Sequence, residues 1–191
     1  MITMASSPKQ EDQHFSTLSM DNLFRRLILR PARFNKFVSK GDQVADLGSG
    51  PGYFTLPLAE KIGPNGHIYA VDSDSKVIQA LRKKAAESGL GNIRAYATSA
   101  VNVPFIMTAS IDFVLAWELL CCVAHAGHRA AINEIKRILK PGGKAMLSVD
   151  RFFSSYVKKT EWKAILEEFN VKNQSRFPIS KDSWALVSKK S

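Results

Sequence analysis

The stretch VADLGSGPGYF, residues 44–54, narrows the fold more than any other feature of this chain. A short apolar run, QVADL, is followed by glycine at 48, 50 and 52, with Ser49 and Pro51 between them. A helical pattern, YFTLPLAEKI, comes next, with Pro57 tolerable only near its first turns. Glycine at that density permits left-handed backbone and lets another molecule touch the main chain. Strand, bare turn and helix in this order open a right-handed β-α-β unit. The rest of the core repeats the rhythm. HIYAVD reads as a strand, SKVIQALRKKAAESG as a helix with Ile78, Leu81 and Ala85 on one face and Gly89 as its stop. IRAYA and the almost wholly apolar IDFVLAW are strands three and four. HRAAINEIKRIL is an amphipathic helix through Ala131, Ile135, Ile138 and Leu139, stopped by Pro141-Gly142-Gly143, and KAMLSV is a fifth strand. Continuous apolar strands alternating with amphipathic helices predict an α/β fold, a doubly wound parallel sheet covered on both faces.

The flanks read differently. Residues 1–16 are polar and aperiodic, which predicts a disordered N-terminal tail. From Ser19 an apolar stripe of Leu23, Leu27 and the neighbouring Phe24 and Ile28 predicts a helix that Pro31 ends, and Pro31 can start the next one, PARFNKFV. Beyond Asp150 the pattern weakens to a helix at 160–169, carrying Trp162, Ile165, Leu166 and Phe169, and two strands, VKNQSRF and SWALVSK, joined around Pro178. One domain therefore spans 17–191, with N-terminal helices at 17–40, a core at 41–150 and a closing helix and hairpin at 151–191.

Composition excludes several classes. Hydrophobic residues at 45% and charged residues at 23% suit a soluble protein, and no apolar run reaches a membrane span. The N-terminus MITMASSPKQEDQ has no apolar stretch of a secretion signal. Cys121 and Cys122 are adjacent, so they cannot staple distant parts of the fold, and their apolar surroundings make them small filler in a reducing compartment. A cytoplasmic protein without a membrane partner is expected. The net charge of +10 favours acidic partners. Its lysines and arginines are scattered and not interleaved with aromatics, so nucleic acid stays open as a partner but is not favoured.

In an open parallel sheet, ligands bind outside the carboxyl ends of the strands, where residues 48–52 fall. The N–H groups of the following helix favour a polar or anionic group there. The spacing argues against a pyrophosphate. A dinucleotide fingerprint needs glycines at positions one, three and six, and a P-loop needs Gly-Lys-Ser/Thr; here Tyr53 follows Gly52 and no lysine closes the loop. Asp72 ends the second strand beside this loop. Its carboxylate can accept two hydrogen bonds from a ribose diol, or it can form an Asx turn or cap, a role open to Asp74 and Ser75 as well.

These residues resemble the class I S-adenosylmethionine-dependent methyltransferases. VADLGSGPGYF resembles the family's first motif, IYAVDSDS its second, VNVPF with IDFVLAWELL its third and fourth segments, and EIKRILKPGGKAMLS its helix, turn and fifth strand. The resemblance covers about residues 35–150. It implies a Rossmann-like seven-stranded sheet in the order 3-2-1-4-5-7-6 with strand seven antiparallel. It implies S-adenosylmethionine as cofactor and S-adenosylhomocysteine as product. Asp46 and the Gly48, Ser49, Gly50 and Gly52 main chain would hold the methionine end, Asp72 with Ser73 the ribose, and Tyr53 or Phe54 the wall near the methionyl group. Where the family often has an acidic residue for the adenine amino group, this chain has Ser99, and the backbone N–H of Ala100 is the remaining donor. Trp117 would line the site after strand four, although aromatics after strands are more often core.

The implied reaction is transfer of a methyl group to a nucleophilic atom of an unidentified small molecule. The alternatives are an RNA or protein methyltransferase, or a nucleoside-binding protein that transfers nothing. A sulfonium methyl is already electrophilic, so positioning supplies most of the acceleration and no dedicated catalytic residue is required. Glu118 and His125 are the candidates after strand four; a solvated or helix-capping Glu118 is equally compatible. His125 and His128 lie three apart but need further ligands to hold a metal, and none is expected.

Overall fold

The computed structural model describes residues 31–149, 157–176 and 183–190. The tail and stripe expected before Pro31 and the turn around Pro178 lie outside the described residues. Pro31–Phe37 winds as a 3-10 helix, tighter than the α-helix expected there. The core then runs β1 (Gln43–Leu47), α1 (Thr55–Ile62), β2 (His67–Asp72), α2 (Ser75–Glu87), β3 (Ile93–Ala97), β4 (Ile111–Ala116), the single turn α3 (Leu119–Cys122), a 3-10 turn His125–Gly127, α4 (His128–Ile138) and β5 (Leu139–Val149). The closing elements are α5 (Lys159–Glu167), β6 (Phe169–Arg176) and β7 (Ser183–Lys189).

All seven strands form one sheet in the order β3-β2-β1-β4-β5-β7-β6. The first five pair in parallel, and β7 is antiparallel to both β5 and β6. Side chains along β4 alternate between the two cores, as a period of two requires. Phe113, Leu115 and Trp117 pack with Phe34, Leu58 and Ile62 on one face, whereas Val114 and Ala116 pack with Ala131, Ile132 and Ile135 on the other. Each face buries an apolar stripe of helix, which is why the strands read as continuous apolar runs.

One expectation is corrected. Pro141-Gly142-Gly143 does not form a turn between α4 and the fifth strand. Leu139 leaves the helix in extended backbone and already pairs with Ile111, and the extra residues are taken up by a register shift between Ile111 and Phe113. Gly142 sits at φ +78, and a Cβ on Gly143 would come within 3.0 Å of the carbonyl oxygens of Ile111 and Lys140. The glycines serve a bulge inside β5.

Two polar devices hold the connections between the strands. Asn92, almost wholly buried, donates through Nδ2 to the carbonyls of Ala59 and Gly63 at 2.8 and 2.9 Å, satisfying the last turn of α1. Asn92→Ala leaves these carbonyls without their donor and is expected to lower stability by about 2 kcal/mol, read as a lower urea midpoint at unchanged slope. On the other face, Arg137 of α4 donates to the carbonyls of Ile106 and Val103 and to both oxygens of Glu134, which accepts the Val103 N–H in turn. The Arg137 guanidinium holds Glu134 below the usual carboxylate range, with the Val103 N–H adding to it against partial burial. This clasp fixes the crossing from β3 to β4, and with it the segment at Ser99.

Candidate functional site

Leu47 pairs with Val71, Asp46 with Leu115 and Asp72 with Ala97, so the carboxyl ends of β1, β2, β3 and β4 share one edge of the sheet. The glycine loop leaves β1 at that edge. Gly48, Gly50 and Gly52 take φ values of +80, +52 and +93. Main-chain N–H groups of the loop itself are used within the protein. Those of Gly48 and Ser49 donate to the Val71 carbonyl, that of Gly52 to Ser49, and that of Gly50 to Asp72. The loop is laced to β2. Ser49 is buried, and its hydroxyl turns to the Gly50 carbonyl at 3.4 Å.

Gly52 has a packing reason to be bare. A Cβ there would stand 2.4 Å from Cδ1 of Leu81, which is fully buried in α2. Gly52→Ala combines that overlap with left-handed backbone, and is expected to cost about 2 kcal/mol. Thermal denaturation checks it: the double variant with Leu81→Ala relieves the overlap but not the backbone strain, so coupling between the two sites is expected.

Asp72 is half-buried at the end of β2. Its Oδ2 accepts from Gly50 N–H at 2.9 Å and its Oδ1 from Asp74 N–H at 3.0 Å. The Asx-turn geometry is therefore present, but the helix cap belongs to Asp74, which accepts from the N–H groups of Lys76 and Val77. Each oxygen of Asp72 keeps a second lone pair for a ligand. Ser73 beside it is exposed.

Asp46 lies beneath the loop. The strand's alternation turns it to the α1 face with Val44, where Thr55, the first residue of α1 and fully buried, donates to its Oδ2 at 2.6 Å. Burial pushes the Asp46 carboxyl up to about 7, against the lowering by the Thr55 hydroxyl, and the neighbouring Asp72 carboxylate raises it further. Asp46 is 2% exposed, so its reach toward any ligand runs through Thr55 and the loop. Thr55 escaped the sequence reading, which followed the motif only to Phe54.

Tyr53 and Phe54 are half-buried and meet edge to face, with centroids 4.8 Å apart. Phe54 stands against Phe34, and Phe34 against Trp117 at 5.0 and 5.2 Å. Trp117 is 7% exposed, so its place is the core beneath the site. Phe34 was not singled out from the sequence; the aromatic spacing of PARFNKF was the signal. Ser99 is half-buried and accepts the Val101 N–H at 3.5 Å, and Ala100 is buried. Tyr96 and Phe105 stack at 3.9 Å across the two ends of this segment.

Glu118 takes left-handed backbone, φ +56, and its N–H donates to Ser148 Oγ of β5 at 2.8 Å. Its side chain makes no capping bond to α3, so the capping alternative falls. His125 is exposed and stands 3.1 Å from Glu161 of α5, a carboxylate that also meets His128 at 2.8 Å. Cys121 is buried as expected; Cys122 is exposed, so only the first fills core space.

Residues 44–143 match the family model described as a methyltransferase domain. The chain belongs to that methyltransferase family. Its class I, S-adenosylmethionine-dependent form agrees with the observed sheet order. A demethylmenaquinone methyltransferase of Geobacillus sp. (strain WCH70) is 31% identical over 109 residues, 57% of this chain and 45% of the relative. This methyltransferase-family chain thus spans less than half the length of such relatives. Among solved structures, a SAM-dependent methyltransferase from Aquifex aeolicus superposes with TM-score 0.76 at 18% identity, covering 90% of this chain and 95% of that one. A candidate rRNA methylase from Clostridium thermocellum gives TM-score 0.73 at 19% identity over 86% and 96%. At those identities the structures share the methyltransferase fold alone.

Proposed function

We propose that this chain is an S-adenosylmethionine-dependent methyltransferase acting on a small molecule. The observation that carries the proposal is Asp72, a carboxylate at the end of β2 tied to Gly50, with lone pairs left beside a loop of bare main chain. Asp72, next to Ser73, would accept from the ribose hydroxyls. The Gly48–Gly52 main chain would lie along the methionine end, shaped from below by Asp46 and Thr55, with Tyr53 and Phe54 as wall and Trp117 as floor. Ser99 and the Ala100 N–H would meet the adenine. When bound, S-adenosylmethionine supplies a methyl carbon on a positively charged sulfur. The protein's part is then to hold an acceptor in line with that carbon and to exclude water. Glu118, two residues beyond β4, would orient the acceptor. The relatives named demethylmenaquinone methyltransferase support a small-molecule acceptor. The adjacent, uncrosslinked cysteines suit a cytoplasmic setting, and among the described residues no helix is long and apolar enough to cross a membrane.

The net charge of +10 favours RNA as the second reading. Methyl-labelled cofactor incubated with separated metabolite and RNA fractions distinguishes them. Label in the metabolite fraction, absent with Asp72→Ala, is the expected result. Label in RNA, lost as salt rises, establishes the second reading, and cofactor binding without transfer to any fraction overturns the enzyme.

A further inference from the structure

We propose that His125, His128 and Glu161 form a site for a divalent transition-metal ion of the zinc type, apart from the glycine loop and Asp72. His125 lies in the 3-10 turn, His128 is the first residue of α4, and Glu161 comes from the first turn of α5. One ligand atom from each falls within 4.8 Å of the others.

Three side chains of metal-ligating type converge here, and a backbone carbonyl fixes the tautomer of His128. Its Nε2 lies 3.1 Å from the Val123 carbonyl, which only accepts, so Nε2 carries a hydrogen. In the neutral ring, Nδ1 then presents a lone pair. That lone pair faces Glu161 Oε1 at 2.8 Å, and an ionised carboxylate also offers only lone pairs. A positive centre must stand between them. His125 Nε2 approaches the second oxygen of the same carboxylate at 3.1 Å and brings a third ligand atom to the place. The Nε2–H tautomer of His125 with a proton on His128 Nδ1 completes these contacts as hydrogen bonds, and a metal ion completes them with all three side chains as ligands. A ring N–H given to a backbone carbonyl is also the usual outer partner of a metal-bound histidine.

Space and chemistry agree. Ligand atoms around a tetrahedral zinc stand about 3.3 Å apart. The contacts at 2.8 and 3.1 Å must open slightly through the Glu161 side chain, and the exposed His125 ring must swing to close the widest pair from within 4.8 Å to that spacing. The other side is rigid: the His128 side chain is 5% exposed, and a Cβ on Gly127 would come 2.7 Å from Val123 and 3.2 Å from Val101. Two imidazoles and one carboxylate suit zinc, cobalt or nickel over magnesium or calcium, which prefer all-oxygen shells. Three protein ligands leave a fourth position for water or a ligand oxygen or sulfur. Bound metal would tie α5 to the segment after β4, whose Leu119 packs 3.4 Å from where a Gly48 Cβ would stand.

Zinc titrated into untagged, metal-stripped full chain tests the site, by competition with a chromogenic chelator. One ion per chain at micromolar or tighter Kd is expected. His125→Ala and Glu161→Gln should each weaken binding by about 10-fold or more. His125 is exposed, so its variant keeps the metal-free melting temperature, and cobalt should give a visible four-coordinate absorption that both variants lose. Failure to bind one zinc saturably, or equal affinity in both variants, overturns the site; the first result makes His128 and Glu161 a proton-bridged pair.

Discussion

Asp72→Ala is expected to weaken S-adenosylhomocysteine binding by about 100-fold, the largest effect of any single substitution at the site. The carboxylate has two duties in the proposed complex. It accepts from the ribose hydroxyls, and hydrogen bonds to a charged group are worth about 1.5–3 kcal/mol each. It also holds the Gly50 N–H, so the variant frees the loop from the end of β2. A loss of about 3 kcal/mol corresponds to the 100-fold figure. Calorimetry on Asp72→Ala and Asp72→Asn measures it. The asparagine keeps one acceptor oxygen and should lose about 10-fold. Equal, unimpaired binding by both variants removes Asp72 from the ribose site.

The second large effect is on stability, through Asp46. Burial pushes this carboxyl up to about 7 from its ordinary 3.8. Between these values the folded state keeps a proton that the unfolded state has released. Stability is therefore fullest below about pH 4, falls as pH rises toward 7, and is level above that. Three units amount to on the order of 4 kcal/mol from this one carboxyl. Asp46→Asn keeps an acceptor for Thr55 and carries no charge at any pH. It should flatten the decline and be the more stable protein at pH 8. Urea unfolding of both proteins from pH 5 to pH 8 gives the comparison. A parallel decline in the two would place the cause elsewhere.

Much of the fold is legible in the sequence because local and tertiary signals agree. The apolar strands β1 and β4 are buried almost throughout and the helices carry single stripes, so period and tertiary position coincide there, whereas β3 at the sheet edge is only partly buried. The end of α4 is the exception. Proline and two glycines are turn residues by local chemistry, but here a bulge uses the same properties, and only the pairing of Leu139 with Ile111 reveals it. The glycine loop, Asp46 and Asp72 are legible because they are close in sequence and tied to strand ends. Phe34, Thr55 and the Arg137–Glu134 clasp are not, since each acts through packing across elements. Glu161 is the sharpest case: it reaches His128 across 33 residues, and no spacing rule connects them.

The central claim is that the bare loop and Asp72 take S-adenosylmethionine. Its most direct test is calorimetric titration of the unmodified chain with S-adenosylmethionine and S-adenosylhomocysteine, with NAD as comparator. Micromolar binding of both sulfur ligands at one per chain, with none of NAD, is the predicted result. Failure of both to bind, or tighter binding of NAD, would contradict it.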